Sequence, residues 1–425
     1  MYEKLFKTGT RLGAGTFKSV CNAIGLILLC GIVPALAGTP DTVLSEQDVL
    51  RIGLDRPEVL QHVKSSIDLA ESDIIEAGTW ENPEFSYDQE SSNDGPDDIT
   101  SRSYMLSQKV TGFGQRDIKT EAARKRLDAV TQEMSQWRLE RTTDIRQKFY
   151  AVLYQQQLHD VFAKWRSGMD AMEMVMQKRM EAGDISGYDL DRLKREQSFV
   201  RAGQRQAHAE HDRMTQELLA TIGLIGDVSS LPGVTGNLLP ETPLPPLEKL
   251  LEKIAEQPDL LAMKLQSKAY AIDERLAQRW WLQDITLGMG VKDIENAEGD
   301  ALLFKISLPI PVFNRNSRAL HQAKASRLQQ QNKYNLVLSE RQGIVRGLWH
   351  QASELTEAVR PLTEEDCQSL VESAEIAYKA GEIGALEILD AYRISFENQA
   401  QILSIMREAR MVRIELDLIT GGNTQ

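Results

Sequence analysis

The chain is poor in cysteine, and beyond its first residues it has no long apolar run. Of its 3 cysteines, Cys21 and Cys30 fall in that N-terminal stretch, so Cys367 stands alone in the remainder. A single thiol excludes a disulfide framework and a thiolate metal cluster built by one chain. No stretch beyond residue 37 approaches the run of about 18 apolar residues that marks a membrane-spanning helix. Only a β-barrel would then carry this chain across a bilayer, because every backbone polar group in lipid needs a partner. Proline is absent from Gln115 to Met180, and the only glycine there is Gly168. A segment so free of breakers reads as one helix, about 100 Å long at about 1.5 Å per residue. No HExxH, nucleophile triad or phosphate loop is present. No catalytic, cofactor-binding or metal-ligating residue is therefore assigned, and no cofactor is expected.

Lys4, Lys7, Arg11 and Lys18 precede an apolar core from Ile24 to Leu36, closed by the small-x-small pattern Ala35-Leu36-Ala37. This reads as an export signal over residues 1–37, too short for a comfortable membrane span. Leu29 stands where a lipidation signal before Cys30 would carry a small residue. Removing residues 1–37 takes away four basic residues and one acid, so the net charge moves from −13 to −13 − 3 = −16. That acidity argues against nucleic acid and anionic headgroups as partners, and for surfaces tolerant of cations.

What the chain does have is a repeat. Pro57, Ala70 and Trp80 recur as Pro258, Ala271 and Trp281 at an offset of 201. Ser107 and Phe113 recur as Ser307 and Phe313 at an offset of 200, and Ala182-Gly183-Asp184-Ile185 as Ala380-Gly381-Glu382-Ile383 at 198. So small a drift reads as a tandem duplication. The first copy, 38–222, holds a helix over 45–80, hairpin strands 85–90 and 104–110, the long helix 115–182 and a helix 188–222. A Gly/Pro-rich linker covers 223–246. The second copy, 247–422, holds a helix 247–282, strands 284–291 and 302–310, a long helix 317–379 with a kink expected at Pro361, and a helix 385–420; a tail covers 423–425. The fold class is mainly α with a small β part. Two helices of about 36 residues laid end to end match one of about 70, so the protomer reads as four columns with two hairpins at one end.

Leu158, Phe162, Trp165, Met169, Met172 and Met176 step by 4-3-4-3-4, a coiled-coil seam. The three methionines read as core rather than copper ligands. In Ile285-Thr286-Leu287-Gly288-Met289-Gly290-Val291 apolar residues alternate with small or polar ones, as they do around Phe304, Ile306 and Leu308. Such alternation supports a lipid-facing barrel wall, with a soluble sheet packed on a core as the alternative that periodicity alone does not exclude. Two hairpins cannot close a barrel, so insertion requires several protomers.

The duplicated plan, the run Ala-Gly-Glu-Ile-Gly-Ala-Leu-Glu-Ile-Leu-Asp-Ala at 380–391, and Ser307-Leu308-Pro309-Ile310-Pro311-Val312-Phe313-Asn314-Arg315-Asn316 resemble the TolC family of outer-membrane efflux proteins. The second motif looks most like the branch serving cobalt–zinc–cadmium efflux. The resemblance implies a homotrimeric outer-membrane conduit with a 12-stranded barrel, four strands from each protomer, and a helical periplasmic tunnel. Such conduits work with a periplasmic adaptor and an inner-membrane resistance–nodulation–division pump, touch outer-membrane lipid, and have no catalytic activity. By matching positions, Glu387 and Asp390 would ring the periplasmic entrance, and Asp189 and Arg192 would make ion pairs that hold the tips shut. Ala182-Gly183 and Ala380-Gly381 would meet the adaptor's hairpin. Ordinary helix-start acids and glycine C-caps are the competing accounts.

Trp80 and Trp281 precede equivalent strands and fit an interfacial girdle or a packed junction. His208 and His211 lie three apart on a helix, but without an acidic or cysteine ligand at metal spacing they read as a solvated face. A conduit for heavy-metal cations is the leading function. Drug efflux or type I secretion, and a periplasmic coiled-coil adaptor or scaffold, are the alternatives.

Overall fold

The computed structural model describes residues 43–92, 99–112, 114–224, 233–279, 284–295, 299–310, 312–313, 315–364 and 367–421. The leader 1–37, the turn residues 93–96, Trp281, the tail 423–425, and Pro311 and Asn314 of the second motif lie outside them.

Among the described residues the order helix–helix–strand–strand–helix–helix comes first and is followed by helix–helix–strand–strand and three helices. α1 (Glu46–Leu54) and α2 (Pro57–Gly78) replace the single helix expected over 45–80, and α5 (Leu247–Ile254) and α6 (Pro258–Gln278) replace that over 247–282. The cause is proline. Pro57 and Pro258 each occupy a first-turn position, where a missing N–H costs nothing and the fixed φ favours a new start. Ser45 caps α1 in a reciprocal box with Asp48.

β1 (Glu84–Ser92), β2 (Ile99–Val110), β3 (Ile285–Ile294) and β4 (Ala301–Ser307) form one antiparallel sheet in sequence order. β2 starts five residues earlier than the sequence suggests, since Ser101 to Ser103 pair on both sides despite their polarity. β4 stops at Ser307, before Pro309. α3 (Gln115–Glu181) is the expected unbroken helix of 67 residues, and α4 (Gly187–Ile222) returns along it. The second long column is described as α7 (Ser317–Glu364) and α8 (Cys367–Ala380), with residues 365–366 between them outside the described residues. Pro361, where a kink was expected, lies inside α7, which continues to Glu364. α9 (Ala385–Thr420) closes the chain.

α3 packs against α2 and α6 in its half nearer the sheet and against α4 and α9 in its far half; α7 packs against α6 and α9. Short helices laid end to end thus accompany the long ones. The buried core is a series of clusters along this length. Ile118, Ala122 and Ile272 lie near the sheet. A middle cluster holds Val49, Ile145, Phe149, Leu153, Leu218 and Ile414. A far cluster holds Trp165, Met169, Met172, Met176, Leu193 and Tyr378. The described part of the Gly/Pro-rich segment, from Gly233, is packed against the helices. Leu44 N–H donates to Gly233 O at 2.9 Å and Thr235 N–H to Leu44 O at 3.0 Å, while Val234 and Leu238 enter the middle cluster. Arg410 lies over the Tyr150 ring and donates to the carbonyls of Asn237, Leu238 and Leu239 at 2.7, 2.9 and 2.6 Å, which fastens this segment to α9.

Candidate functional site

The two tips at the far end of the bundle are built alike. Gly183 and Gly381 take φ of +82° and +78°, values that favour glycine. Asp184 N–H donates to Arg179 O and Gly183 N–H to Met180 O; Glu382 N–H donates to Ala377 O and Gly381 N–H to Tyr378 O. This is the same paired helix ending at both tips. Each chain then re-enters a helix three residues on. Ser186 caps α4, with Asp189 accepting from its backbone N–H at 3.1 Å. Gly384 caps α9, with Glu387 accepting from its N–H at 3.1 Å. Ile185 and Ile383 precede the caps and join Leu190 and Ile388 in the far cluster, stapling each entry. Arg179 joins the tips: its Nη1 donates to Tyr378 O at 2.7 Å, and its guanidinium lies 4.8 Å from the centre of the Tyr378 ring. The Tyr378 side chain is fully buried, and burial pushes its hydroxyl pKa up.

The carboxylates of Asp189 and Glu387 therefore serve as helix-cap acceptors within the protomer. Asp390, one turn on, pairs with Arg393. Asp189 and Arg192 make no ion pair with each other, because the Asp189 carboxylate faces back to Ser186. Ala182, Gly183, Ala380 and Gly381 are exposed, and a Cβ at Gly183 would meet nothing within 4 Å. Sequence reasoning missed Tyr188 and Leu386, which occupy the same position in the two helix starts and are 72% and 51% exposed. Their common place two residues past each cap was the signal that would have found them.

At the opposite end the sheet has two unlike faces. Phe85 pairs with Leu106, Leu106 with Met289 and Met289 with Phe304, so one apolar row crosses all four strands. Tyr87, Tyr104, Val291 and Leu302 form the next row. Every one of these eight side chains is exposed, Phe304 by 77%. Arg102 and Asp293, paired across β2 and β3, end the band on one side. The other face carries mostly small and charged residues, among them Glu84, Ser107, Gly288 and Lys305 in register, with Met105 and Leu303 among its apolar members. Gly290 is required there, since a Cβ would sit 2.2 Å from Tyr104 O. Trp80 is half-exposed beneath the Arg116 guanidinium at 4.7 Å. Among the described residues, no helix is long and apolar enough to cross a membrane.

No family model matches the chain. Over 374 residues it is 22% identical to the cobalt-zinc-cadmium resistance protein CzcC of Cupriavidus metallidurans, spanning 85% of this chain and 86% of that protein. The solved structure of CusC, studied for folding and transmembrane channel formation, matches with a TM-score of 0.73 at 17% identity, over 91% of this chain and 94% of that one. The outer membrane protein VceC of Vibrio cholerae matches with a TM-score of 0.71 at 15% identity, over 89% and 97% of the two chains. The fold is thus that of the TolC-like channels, mainly helical with a small antiparallel sheet.

Proposed function

We propose that this chain is the outer-membrane exit duct of a tripartite efflux system and exports heavy-metal cations. The observation that carries the reading is the sheet. An exposed apolar band spans all four strands on one face, with mostly small and charged residues on the other. Water would penalise such a face, whereas lipid would not. Among the described residues the outer edges of β1 and β4 have no strand partner, and three copies paired edge to edge would close a barrel of 12 strands. The α3–α4 and α8–α9 tips then gather at the periplasmic entrance. There Glu387 and Asp390 supply carboxylates around the axis, and the exposed Tyr188 and Leu386, with the Ala182-Gly183 and Ala380-Gly381 turns, meet the adaptor. The resistance–nodulation–division pump of the inner membrane supplies the energy.

A deletion strain tests this directly. Loss of the gene should lower tolerance of zinc, cobalt or cadmium, and wild-type protein should fractionate with the outer membrane and restore tolerance. Sensitivity to organic toxicants with unchanged metal tolerance would reassign the cargo to the drug-efflux class. Recovery in the soluble periplasm would overturn the duct itself.

A further inference from the structure

On the α3–α4 pair, well away from both tips and sheet, three of the chain's 6 histidines come together. His208 and His211 of α4 were set aside for want of an acidic ligand. Asp212, on the same helix, is one at i+4 spacing from His208. It lies beside His211, and the Nδ1 atoms of both rings stand 3.5 Å from the same Asp212 Oδ1. Ligand atoms of His208, His211 and Asp212 all fall within 4.8 Å of one another. His159 arrives from α3, its ring centroid 5.7 Å from that of His208. That contact joins residues 49 positions apart and is invisible to local spacing.

We propose that His208, His211 and Asp212, with His159 alongside, bind a divalent transition-metal cation of the zinc class. Two or three neutral imidazoles with one carboxylate is a donor set suited to Zn2+, Co2+, Ni2+ or Cu2+, and poorly suited to Mg2+ or Ca2+, which prefer all-oxygen shells. Tetrahedral ligands about 2.0–2.1 Å from a zinc ion stand about 3.3 Å from each other, close to the 3.5 Å that separates each ring nitrogen from the carboxylate. The remaining adjustment falls on side chains free to make it. His208 is 65% exposed, while His211 and Asp212, at 20% and 28%, hold the base of the site against the helix. With His159 as a ligand the ion would clamp α3 to α4. The site goes beyond the duct reading and stands whatever the duct carries.

The test uses the purified full-length protein, free of any polyhistidine tag, titrated with Zn2+ against a chromogenic chelator. One equivalent per chain should bind in the presence of excess Ca2+ and Mg2+. His208→Asn and His211→Asn should each weaken it by about tenfold or more, since even loss of an outer-shell partner costs about 10–100-fold, while His321→Asn and His350→Asn leave it unchanged. A weaker His159→Asn variant supports the inter-helix clamp, and an unchanged one removes His159 from the site. Full wild-type affinity in the doubly substituted His208→Asn/His211→Asn protein would overturn the proposal. If that variant fails to assemble, wild-type protein with one equivalent of Cu2+ still decides by paramagnetic resonance. Nitrogen couplings from at least two imidazoles are expected, and an oxygen-only spectrum would refute the site. Export assays address the duct separately, so failure of either reading leaves the other standing.

Discussion

Glu387 combines two roles that a single alanine substitution would confuse. Its carboxylate accepts from Gly384 N–H and completes the start of α9, and it is also a candidate charge at the entrance. Glutamine at this position still caps, so Glu387→Gln removes the charge alone, whereas Glu387→Ala also removes a cap worth about 0.3–1.5 kcal/mol. In single-channel recordings, Glu387→Gln with Asp390→Asn should weaken the block by multivalent cations without loosening the tip. Full retention of that block would show that the two acids only start a helix. Tyrosines give a second residue-scale expectation. Tyr150 donates to Glu46 and Tyr392 to Glu375, and burial first, then these carboxylates, raise both hydroxyls well above their ordinary value of 10.0. A folded-state pKa above the unfolded one stabilises the fold fully below about pH 10, and that contribution is lost as pH rises further. Tyrosinate absorbance should therefore lag for these two residues and appear together with alkaline unfolding, and Tyr150→Phe should reduce the lag.

At the scale of elements, the far half of α3 is held by aromatic rings set against glycines. Trp165 stacks on Phe396 at 4.2 Å, and Phe162 packs on the same ring at 4.6 Å. A Cβ at Gly168 would fall 2.4 Å from Tyr392, and one at Gly203 would fall 2.5 Å from Phe162. These contacts let α9 and α4 approach α3 closely. Trp165→Ala should cost about 3–5 kcal/mol by emptying the cluster, and Gly168→Leu about 1–3 kcal/mol by wedging the helices apart. The exposed Met174→Ala change should cost little. Hydrogen exchange along α3 and α9 reads all three; equal protection in Trp165→Ala and Met174→Ala would mean the seam is misassigned.

For the whole molecule, the decisive feature is that one protomer leaves its sheet open and its apolar band bare. The duct reading requires a trimer, so cross-linking of detergent-solubilised protein should give a ladder ending at three copies. Phe304→Lys, on β4 in the exposed band, should reduce membrane insertion by about 2–4 kcal/mol in favour of the uninserted form, since a cation on the lipid face costs that much near the midplane. The same change would be harmless on a water-facing sheet, and unimpaired insertion would count against a lipid-facing wall.

Much of this architecture was legible in the chain before folding. The absence of breakers between Gln115 and Met180 dictates a long helix through local backbone preference, and the 4-3-4-3-4 spacing selects the face that Trp165, Met169, Met172 and Met176 bury. Strand alternation showed two-faced segments, because side chains in extended backbone point alternately to either side. Pro57 and Pro258 were visible too, yet their force as helix divisions emerged only where the backbone was seen to restart on them. What the sequence left open is whatever depends on residues far apart meeting. The order of the strands, and so the continuous row Phe85–Leu106–Met289–Phe304, needs β2 to pair with β3 across 174 intervening residues between Val110 and Ile285. Arg179 beneath Tyr378, Arg410 on the carbonyls of 237–239, and His159 beside His208 likewise have no local signature. Local propensity and periodicity act within a few turns of chain, whereas these contacts exist only once long columns have packed in register.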